Sequence, residues 1–277
     1  MSVSVLILTL NEEQNLPSCL ESVKWSDDVV VLDSFSSDRT VEIAKAHGAR
    51  VVQRRFDNER DHRTFSVRNI PFKHSWVYNP DADEETPPEL RSEMLSVVSD
   101  PDRAEVAYRV RFKTQFMGRW IKHCSLYPTW VVRLFRPEKI SFERATNLRY
   151  VMDGPVGRLQ SHFHHYTFNK GFGAWIEKHN RYSSHEAAES LNSLRNGRVP
   201  WGDLLSADPV ARRRALKELS FRVPCRPSWR FIYMYFLRGG ILDGRAGLIY
   251  CRLLAFYEYM IVLKMREIQR RETGKPV

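Results

Sequence analysis

Asp81-Ala82-Asp83 sets two carboxylates one residue apart, between the apolar segment Ser75-Trp76-Val77-Tyr78 and a helix start at Thr86-Pro87-Pro88-Glu89. Two acids on a tight connection at the C-terminal end of a strand can hold a divalent cation against a diphosphate. Hard cations take oxygen ligands and share them with substrate phosphates. The spacing alone arises by chance in many chains, so its surroundings must carry the reading. Two further polar stretches break apolar segments in the same manner: Thr9-Leu10-Asn11-Glu12-Glu13 and Asp33-Ser34-Phe35-Ser36-Ser37-Asp38.

The elements that must position these groups follow from the pattern around them. Val3 to Leu8, Val29 to Leu32, Val51-Val52 and Trp76 to Tyr78 are continuous apolar runs of the buried-strand type. Between them, Asn15 is placed to cap a helix with Leu16, Leu20 and Val23 on one face. A second helix runs from about Arg39 to His47 and stops at Gly48. Thr86 is placed to cap a third, with Pro87 at its first position, Glu89 closing a capping box and Leu90, Met94, Leu95 and Val98 forming its apolar face. This alternation predicts an α/β fold with a doubly wound, mostly parallel sheet. Such sheets bind ligands outside the carboxyl ends of their strands, where all three polar stretches fall.

After Asp100 the pattern changes. Val106, Tyr108, Val110 and Phe112 alternate with Arg109, Arg111 and Lys113, which predicts a strand with one polar face. Trp130 to Phe135 and Leu148 to Met152 read as further, antiparallel strands. From Gly171 the signals are helical: Ala174 to Leu191, Pro209 to Leu219, and a long stretch from Ser228 to Arg271. The expected organisation is a catalytic domain over 1–168 and a helical C-terminal extension over 169–277.

The 277 residues, 43% hydrophobic and 27% charged, are ordinary globular values and exclude a disordered chain. A net charge of +10 calls for an anionic partner: nucleic acid, an anionic membrane surface or phosphorylated substrates. Cys19, Cys124, Cys225 and Cys251 form no C-x-x-C pair, which favours buried thiols in a reducing compartment. The start of the chain reads as a strand and not as a signal peptide. Phe231 to Leu263 is apolar but broken by Arg238, Asp243, Arg245, Arg252 and Glu258; without about 18 uncharged residues in a row, no spanning helix is expected. His162-Phe163-His164-His165 would place His162 and His164 on one strand face, and a packed strand end is favoured there over zinc. Lys178, Arg181 and Tyr182 share a helical face, which is either solvated or in contact with a phosphate or the acceptor. Arg212, Arg213, Arg214, Lys217, Arg222, Arg226 and Arg230 interleave with Phe221, Trp229, Phe231, Tyr233 and Tyr235. Attachment to anionic lipid, a charged helical brace and nucleic-acid binding are the three readings, in that order.

The ordered set of motifs resembles glycosyltransferase family 2 on a GT-A nucleotide-sugar-binding fold. The resemblance lies in Thr9 to Glu13, in Val31-Leu32-Asp33-Ser34-Phe35-Ser36-Ser37-Asp38-Arg39-Thr40, and in Asp81-Ala82-Asp83-Glu84. It continues through Arg133-Leu134-Phe135-Arg136, Lys178-His179-Asn180-Arg181-Tyr182-Ser183 and Gly239-Gly240-Ile241-Leu242-Asp243-Gly244, over nearly the full chain. The subgroup it is most similar to contains bacterial lipopolysaccharide-core and exopolysaccharide transferases.

The resemblance implies an inverting, metal-dependent transferase taking a sugar from a nucleotide donor, a UDP-sugar, to a lipid-linked or lipopolysaccharide-type acceptor. It would work in the cytoplasm at the inner face of the cell membrane, without nucleic acid. Asp33 would accept from the donor's base, and Thr9, Asn11 and Glu12 would line the nucleotide pocket. Asp81 would lie near the ribose and metal, and Asp83 would bind Mg²⁺ or Mn²⁺. Where relatives carry Val-His-Glu, with its plausible basic Glu, this chain has Thr146-Asn147-Leu148. Glu143 and Asp153 are the nearest carboxylates, with Glu143 favoured as base. Two readings from other classes stand beside this one. A nucleotidyltransferase would need a Gly-rich basic loop, and Leu8 to Gln14 has no Gly. A non-enzymatic basic module would bind oligonucleotides with a steep salt dependence.

Overall fold

A computed structural model describes residues 2–125, 127–143, 148–196, 201–206 and 209–276, without the side chains of 196, 209, 210, 213, 214 and 217. Two of the residues standing where relatives have Val-His-Glu, Thr146 and Asn147, lie outside the described residues, as do the side chains of Arg213, Arg214 and Lys217. The chain divides into two compact units: Met1–Trp120 with Tyr127–Lys170, and Ile121–Leu126 with Gly171–Val277. The segment 121–126, which the sequence groups with the catalytic part, thus belongs to the helical unit.

In the first unit, the apolar runs form strands because both faces of the sheet are covered. The elements are β1 (Ser4–Thr9), α1 (Leu16–Val23), β2 (Val29–Asp33), α2 (Thr40–Ala46), β3 (Arg50–Gln53), α3 (Glu59–Arg68), β4 (Val77–Tyr78), β5 (Glu84–Glu85) and α4 (Pro88–Ser99). There follow β6 (Ala107–Phe116), β7 (Arg119–Ile121), β8 (Trp130–Phe135), β9 (Ile140–Glu143), β10 (Arg149–Met152) and β11 (Val156–His165). Val5 and Ile7 of β1 enter one core with Leu16, Leu20 and Val23 of α1 and Leu90 and Met94 of α4. Leu6, between them, enters a second core with Val67 of α3 and with Ile140 and Phe142 of β9. This is the alternation of side chains along a strand, expressed as two cores on opposite faces.

Among the described residues the main sheet has the order β3-β2-β1-β4-β8-β6-β11-β5, with β7 paired to β6 and a separate β9–β10 hairpin. β1 pairs in parallel with β2 and with β4, β2 pairs in parallel with β3, and β6 with β11. β8 enters antiparallel between β4 and β6. The fold is α/β, with a mixed, mostly parallel sheet.

Two local expectations are corrected, and one helix is added. Asn15 occupies the N-cap position of α1, but its side chain donates to Glu12 Oε2 (2.8 Å) and does not cap. Thr86 does not cap α4 either: its hydroxyl donates to the Tyr78 hydroxyl (3.1 Å), Pro87 takes the cap position and the helix starts at Pro88. Helix α3 had no assignment. Asn58 caps it by accepting from Asp61 N–H (3.0 Å), and its first turn holds Glu59 and Asp61, a favourable start for the helix dipole.

The second unit contains α5 (Gly171–Asn196), α6 (Pro209–Ser220), α7 (Arg226–Ile232) and α8 (Gly244–Glu272). Ala187 and Leu191 of α5 pack with Ile261 and Met265 of α8. The expected stretch from Ser228 to Arg271 is broken. A π-helical turn over Tyr233–Leu237 ends at Gly239, whose φ of 75° is left-handed, and a 3₁₀ turn over Gly240–Asp243 leads into α8. By length and composition alone the stretch Gly240–Glu272 is long and apolar enough to cross a membrane, although charges interrupt it.

Candidate active site

Thr9 and Asp33 end β1 and β2 in register, so the parallel pairing puts both at one carboxyl edge. Thr9 Oγ1 donates to Asp33 Oδ1 (3.1 Å), Gln53 Nε2 and Ser36 N–H donate to Asp33 Oδ2 (both 3.0 Å), and the Ser36 hydroxyl donates to Oδ1. Burial would raise the Asp33 carboxyl, but the donors Ser36, Gln53 and Thr9 outweigh it and hold it below the usual range. Asp33 has no exposed surface. Its carboxylate organises the loop that follows β2 and presents none of itself to solvent.

That loop is fastened to the one after β1. Asn11, at a left-handed φ of 55°, accepts from Ser37 N–H through Oδ1 (2.8 Å) and gives its own N–H to Ser36 Oγ (2.8 Å). Glu12 N–H donates to Thr40 Oγ1 (2.7 Å) and Glu13 N–H to Asp38 Oδ2 (3.1 Å). The Glu12 carboxylate receives Lys170 Nζ (2.5 Å). Thr9, Asn11, Glu12 and Asp33 are therefore brought together, as two interlocked loops at one edge of the sheet.

The acidic turn stands beside them. Asp81 bridges in parallel to Leu8 of β1, one residue before Thr9. Asp81 N–H donates to Glu84 Oε2 and Glu84 N–H to the Asp81 carbonyl (both 3.0 Å), closing the turn on itself. Arg133, from β8, donates through Nη2 to both Asp81 Oδ2 and Glu84 Oε1. The Arg133 guanidinium also lies over the Phe163 ring (5.5 Å). Burial pushes the Glu84 carboxyl up to about 8, Arg133 opposing the rise and Asp81 adding to it. Burial acts on Asp81 in the same sense, but Arg133 and Arg63 overcome it and keep that carboxyl below the usual range. Asp81 keeps 41% of its side-chain surface exposed, so its free oxygen remains open to a ligand.

Asp83 faces the end of β11. The turn leads into β5, which pairs antiparallel with His164 and His165. His165 Nε2 lies 3.4 Å from Asp83 Oδ2, and Tyr166 N–H donates to the Asp83 carbonyl (2.9 Å). Burial would lower the His165 ring, but Asp83, Glu84 and Asp81 outweigh it and raise it above its ordinary value. The raised, half-buried imidazole marks a site with an excess of negative charge.

The family's sequence model, Glycosyl transferase family 2, matches residues 4–166, which span the unit just described together with segment 121–126. The chain belongs to glycosyl transferase family 2. It is a glycosyltransferase, and its α/β fold is of the GT-A type. An uncharacterized glycosyltransferase of Rickettsia typhi is 26% identical over 270 residues, covering 96% of this chain and 87% of its own. The lipopolysaccharide core biosynthesis glycosyltransferase LpsC of Rhizobium meliloti is 22% identical over 276 residues, covering 96% and 92%. Among solved structures, S. aureus TarS 1-349 aligns over 94% of this chain and 91% of its own, with a TM-score of 0.44 and 16% identity. Glucosyl-3-phosphoglycerate synthase from Mycobacterium tuberculosis, in complex with Mn²⁺ and uridine-diphosphate-glucose, aligns over 40% and 44%, with a TM-score of 0.35 and 23% identity.

In this family 2 chain the donors available to a cation are Asp83, His165 and the free oxygen of Asp81. Among the described residues no group of three or more His, Cys, Asp or Glu is arranged to hold a metal by itself. A carboxylate with an imidazole suits Mn²⁺ and, with more reliance on phosphate and water oxygens, Mg²⁺. The excess negative charge at His165 fits a cation that shares its shell with a diphosphate.

Glu143 and Asp153 are not gathered with these groups. Both are on the β9–β10 hairpin, where Glu143 lies 3.6 Å from Arg149 and Asp153 receives Lys139 Nζ at 2.7 Å. Their side chains are 55% and 80% exposed, and the Lys139 hydrogen bond holds Asp153 below the usual range. Lys178, Arg181 and Tyr182 lie on the exposed side of α5, both cations near the Tyr182 ring at 5.8 and 5.9 Å. Among the described residues no acid forms an ion pair with His162; burial and then Lys113 push its ring down to about 4.

The sequence reading gave no role to Arg133, Glu84, His165 or Lys170. Arg133 and His165 sat inside motifs already noticed, but their partners are far away in sequence. Nothing in the local pattern of a strand says which acid its end will meet.

Proposed function

We propose that this chain is a metal-dependent, inverting transferase that moves a sugar from a nucleotide donor, a UDP-sugar, to a lipid-linked or lipopolysaccharide-type acceptor at the cytoplasmic face of the cell membrane. The observation that carries it is the Asp81–Glu84 turn, locked by Arg133 level with Thr9 and Asp33, with Asp83 and His165 left facing one another. The name of the Rhizobium meliloti relative supports the acceptor class.

The interlocked loops 9–13 and 33–40 take the nucleoside, with Asp33 shaping the base end from below. Asp83 and His165, flanked by Asp81, would hold Mg²⁺ or Mn²⁺. The cation supplies Lewis-acid neutralisation of the charge that grows on the departing diphosphate. Arg133 grips both Asp81 and Glu84, Glu84 closes the turn on Asp81 N–H, and Tyr166 N–H holds the Asp83 carbonyl, so both aspartates are fixed before the donor arrives. Preorganised charge of this kind stabilises a transition state without reorganisation during the reaction. A carboxylate takes the proton from the acceptor hydroxyl as general base. Glu143 is the favoured candidate, because Lys139 engages Asp153 at 2.7 Å, closer than Arg149 stands to Glu143 at 3.6 Å.

A thermal-shift screen of UDP-sugars with and without Mn²⁺ tests this. A donor at about 100 times its Kd stabilises the fold by about 2.7 kcal/mol. The expected result is a shift that needs donor and Mn²⁺ together, is lost in Asp83→Ala, and survives in Glu143→Gln while transfer falls. Full transfer by Asp83→Ala in Mn²⁺ would sink the metal assignment, and no shift with any nucleotide sugar would sink the donor.

A further inference from the structure

In the helical unit, the corner between α7 and α8 turns its largest apolar side chains outward. Trp229, Ile232, Tyr233, Phe236, Leu237, Ile241 and Leu242 are all exposed, Leu237 to 76% and Leu242 to 72%. A soluble surface rarely collects so much apolar area on fourteen consecutive residues without a partner.

The corner is built to hold this shape. Met234 is its buried anchor, and a Cβ on Gly240 would lie 2.7 Å from the Met234 carbonyl. A Cβ on Gly247 would collide with the Gly240 carbonyl, so α8 meets the corner backbone to backbone. Asp243, buried at the start of α8, accepts N–H groups from Lys122 (3.1 Å), His123 (2.9 Å) and Cys124 (2.9 Å), which fastens segment 121–126 to it. A surface fixed beforehand loses little side-chain freedom when it binds.

Charge identifies the partner. The helical unit holds 20 of the 43 Lys and Arg but only 10 of the 33 Asp and Glu, leaving 23 of each in the other unit. The whole net charge of +10 therefore belongs to the unit with the apolar corner. Arg226 is neutralised by Glu258 (2.9 Å), but Arg230, Arg238, Arg245 and Arg252 have no carboxylate partner among the described residues. Exposed aromatic and aliphatic side chains on a stretch that also carries Arg230 and Arg238, half-buried, and leads into the exposed Arg245 and Arg252 match the boundary between acyl chains and anionic headgroups.

We propose that the corner Trp229–Leu242 is a docking surface for an anionic lipid bilayer, with its apolar side chains in the headgroup–acyl boundary and Arg230, Arg238, Arg245 and Arg252 among the headgroups. It rests on the transferase reading only for its purpose, since it would bring the donor site to a lipid-linked acceptor. Binding itself needs neither donor nor acceptor.

The test is co-sedimentation of the full chain with phosphatidylcholine vesicles, with and without about one third phosphatidylglycerol, in the absence of nucleotide. The expected result is binding about tenfold or more tighter to the anionic vesicles, weakened in about 0.5 M salt as the charges are screened. Leu237→Ser with Leu242→Ser should lower that binding about tenfold or more at unchanged Tm. Arg245→Gln with Arg252→Gln, which leaves the apolar packing alone, should lower it about tenfold and remove most of the salt dependence. Equal binding to both vesicle types, or unaltered binding by both variants, overturns the proposal. So does a dimer that forms without vesicles and is broken by the Leu237→Ser, Leu242→Ser variant, which would make the corner an interface between copies. None of these outcomes bears on transfer to a soluble acceptor, so this proposal and the transferase reading fail separately.

Discussion

Arg133 holds two acids, Asp81 and Glu84, with one guanidinium. Asp81 and Glu84 both contact Nη2, and two negative carboxylates that close in a buried place would repel each other strongly. The two respond differently: burial raises Glu84, Arg133 holds Asp81 below the usual range, and Asp83 lies outside this trio, toward His165. Removing the cation leaves a buried charge without compensation, a change that costs about 3–5 kcal/mol when such pairs are broken. Arg133→Met should therefore lower the unfolding free energy by about that amount in urea melts and weaken Mn²⁺-dependent donor binding. Adding Glu84→Gln should restore part of the stability, since it removes one source of buried charge, while leaving donor binding weak. Melts of Arg133→Met that overlay those of the parent chain would show that Asp81 and Glu84 do not depend on it.

At the scale of the elements, the edge that carries the site is fixed from its opposite end by Asp28. This buried carboxylate, just before β2, accepts from the Ser4 hydroxyl of β1 (2.6 Å), from Lys73 N–H ahead of β4 (2.8 Å) and from Arg50 of β3 (3.3 Å). It joins the four parallel strands where they begin, which sets the register at which Thr9, Asp33 and Asp81 end. Burial would raise its carboxyl, but the Ser4, Lys73 and Arg50 donors hold it below the ordinary value. The depressed folded value fixes the sign. The stabilisation is complete above the unfolded value, about pH 4, and is lost as pH falls through the lower folded value. Asp28→Asn should cost about 1–3 kcal/mol at neutral pH, and the gap to the parent chain should close below about pH 4. A gap that stays constant down to about pH 2 would mean that the loss comes from packing and not from the charge.

The same strands show what the sequence discloses and what it withholds. β1, β2, β3 and β4 were legible because a buried parallel strand is a local apolar run, and their polar ends marked the ligand edge. β5 was not, since Glu84-Glu85 has no strand preference and exists only through its pairing with His164 and His165. The start of α4 was misread by one residue because Thr86, an ideal capping type, found a better partner in Tyr78. Within the site, the loops around Thr9 and Asp33 were legible from composition. The roles of Arg133 and His165 were not, because each depends on a partner brought near only by the finished sheet. The acceptor-side base stays a proposal for the same reason: Glu143 and Asp153 were chosen by closeness in sequence, and the fold pairs them with Arg149 and Lys139.

At the scale of the whole molecule, charge and chemistry are divided between the two units. The sheet edge that carries Thr9, Asp33 and Asp81 sits in a unit with as many acids as bases, and the excess of ten positive charges sits in the helical one. Such a division separates two contributions to catalysis that kinetics can read apart. Attachment to an anionic surface raises the local concentration of an acceptor embedded there and leaves the chemical step unchanged, so it acts through the apparent KM. For an acceptor presented in anionic vesicles, the Leu237→Ser, Leu242→Ser variant should raise the apparent KM about tenfold with kcat within about twofold of the parent chain. For a short, soluble acceptor analogue the variant and the parent should be indistinguishable, because no surface is involved. Asp83→Ala should do the opposite, lowering kcat for both acceptors alike, since its loss is felt where the diphosphate departs. Equal kinetic losses for the two acceptors in the corner variant would place the corner within the chemistry and refute the division.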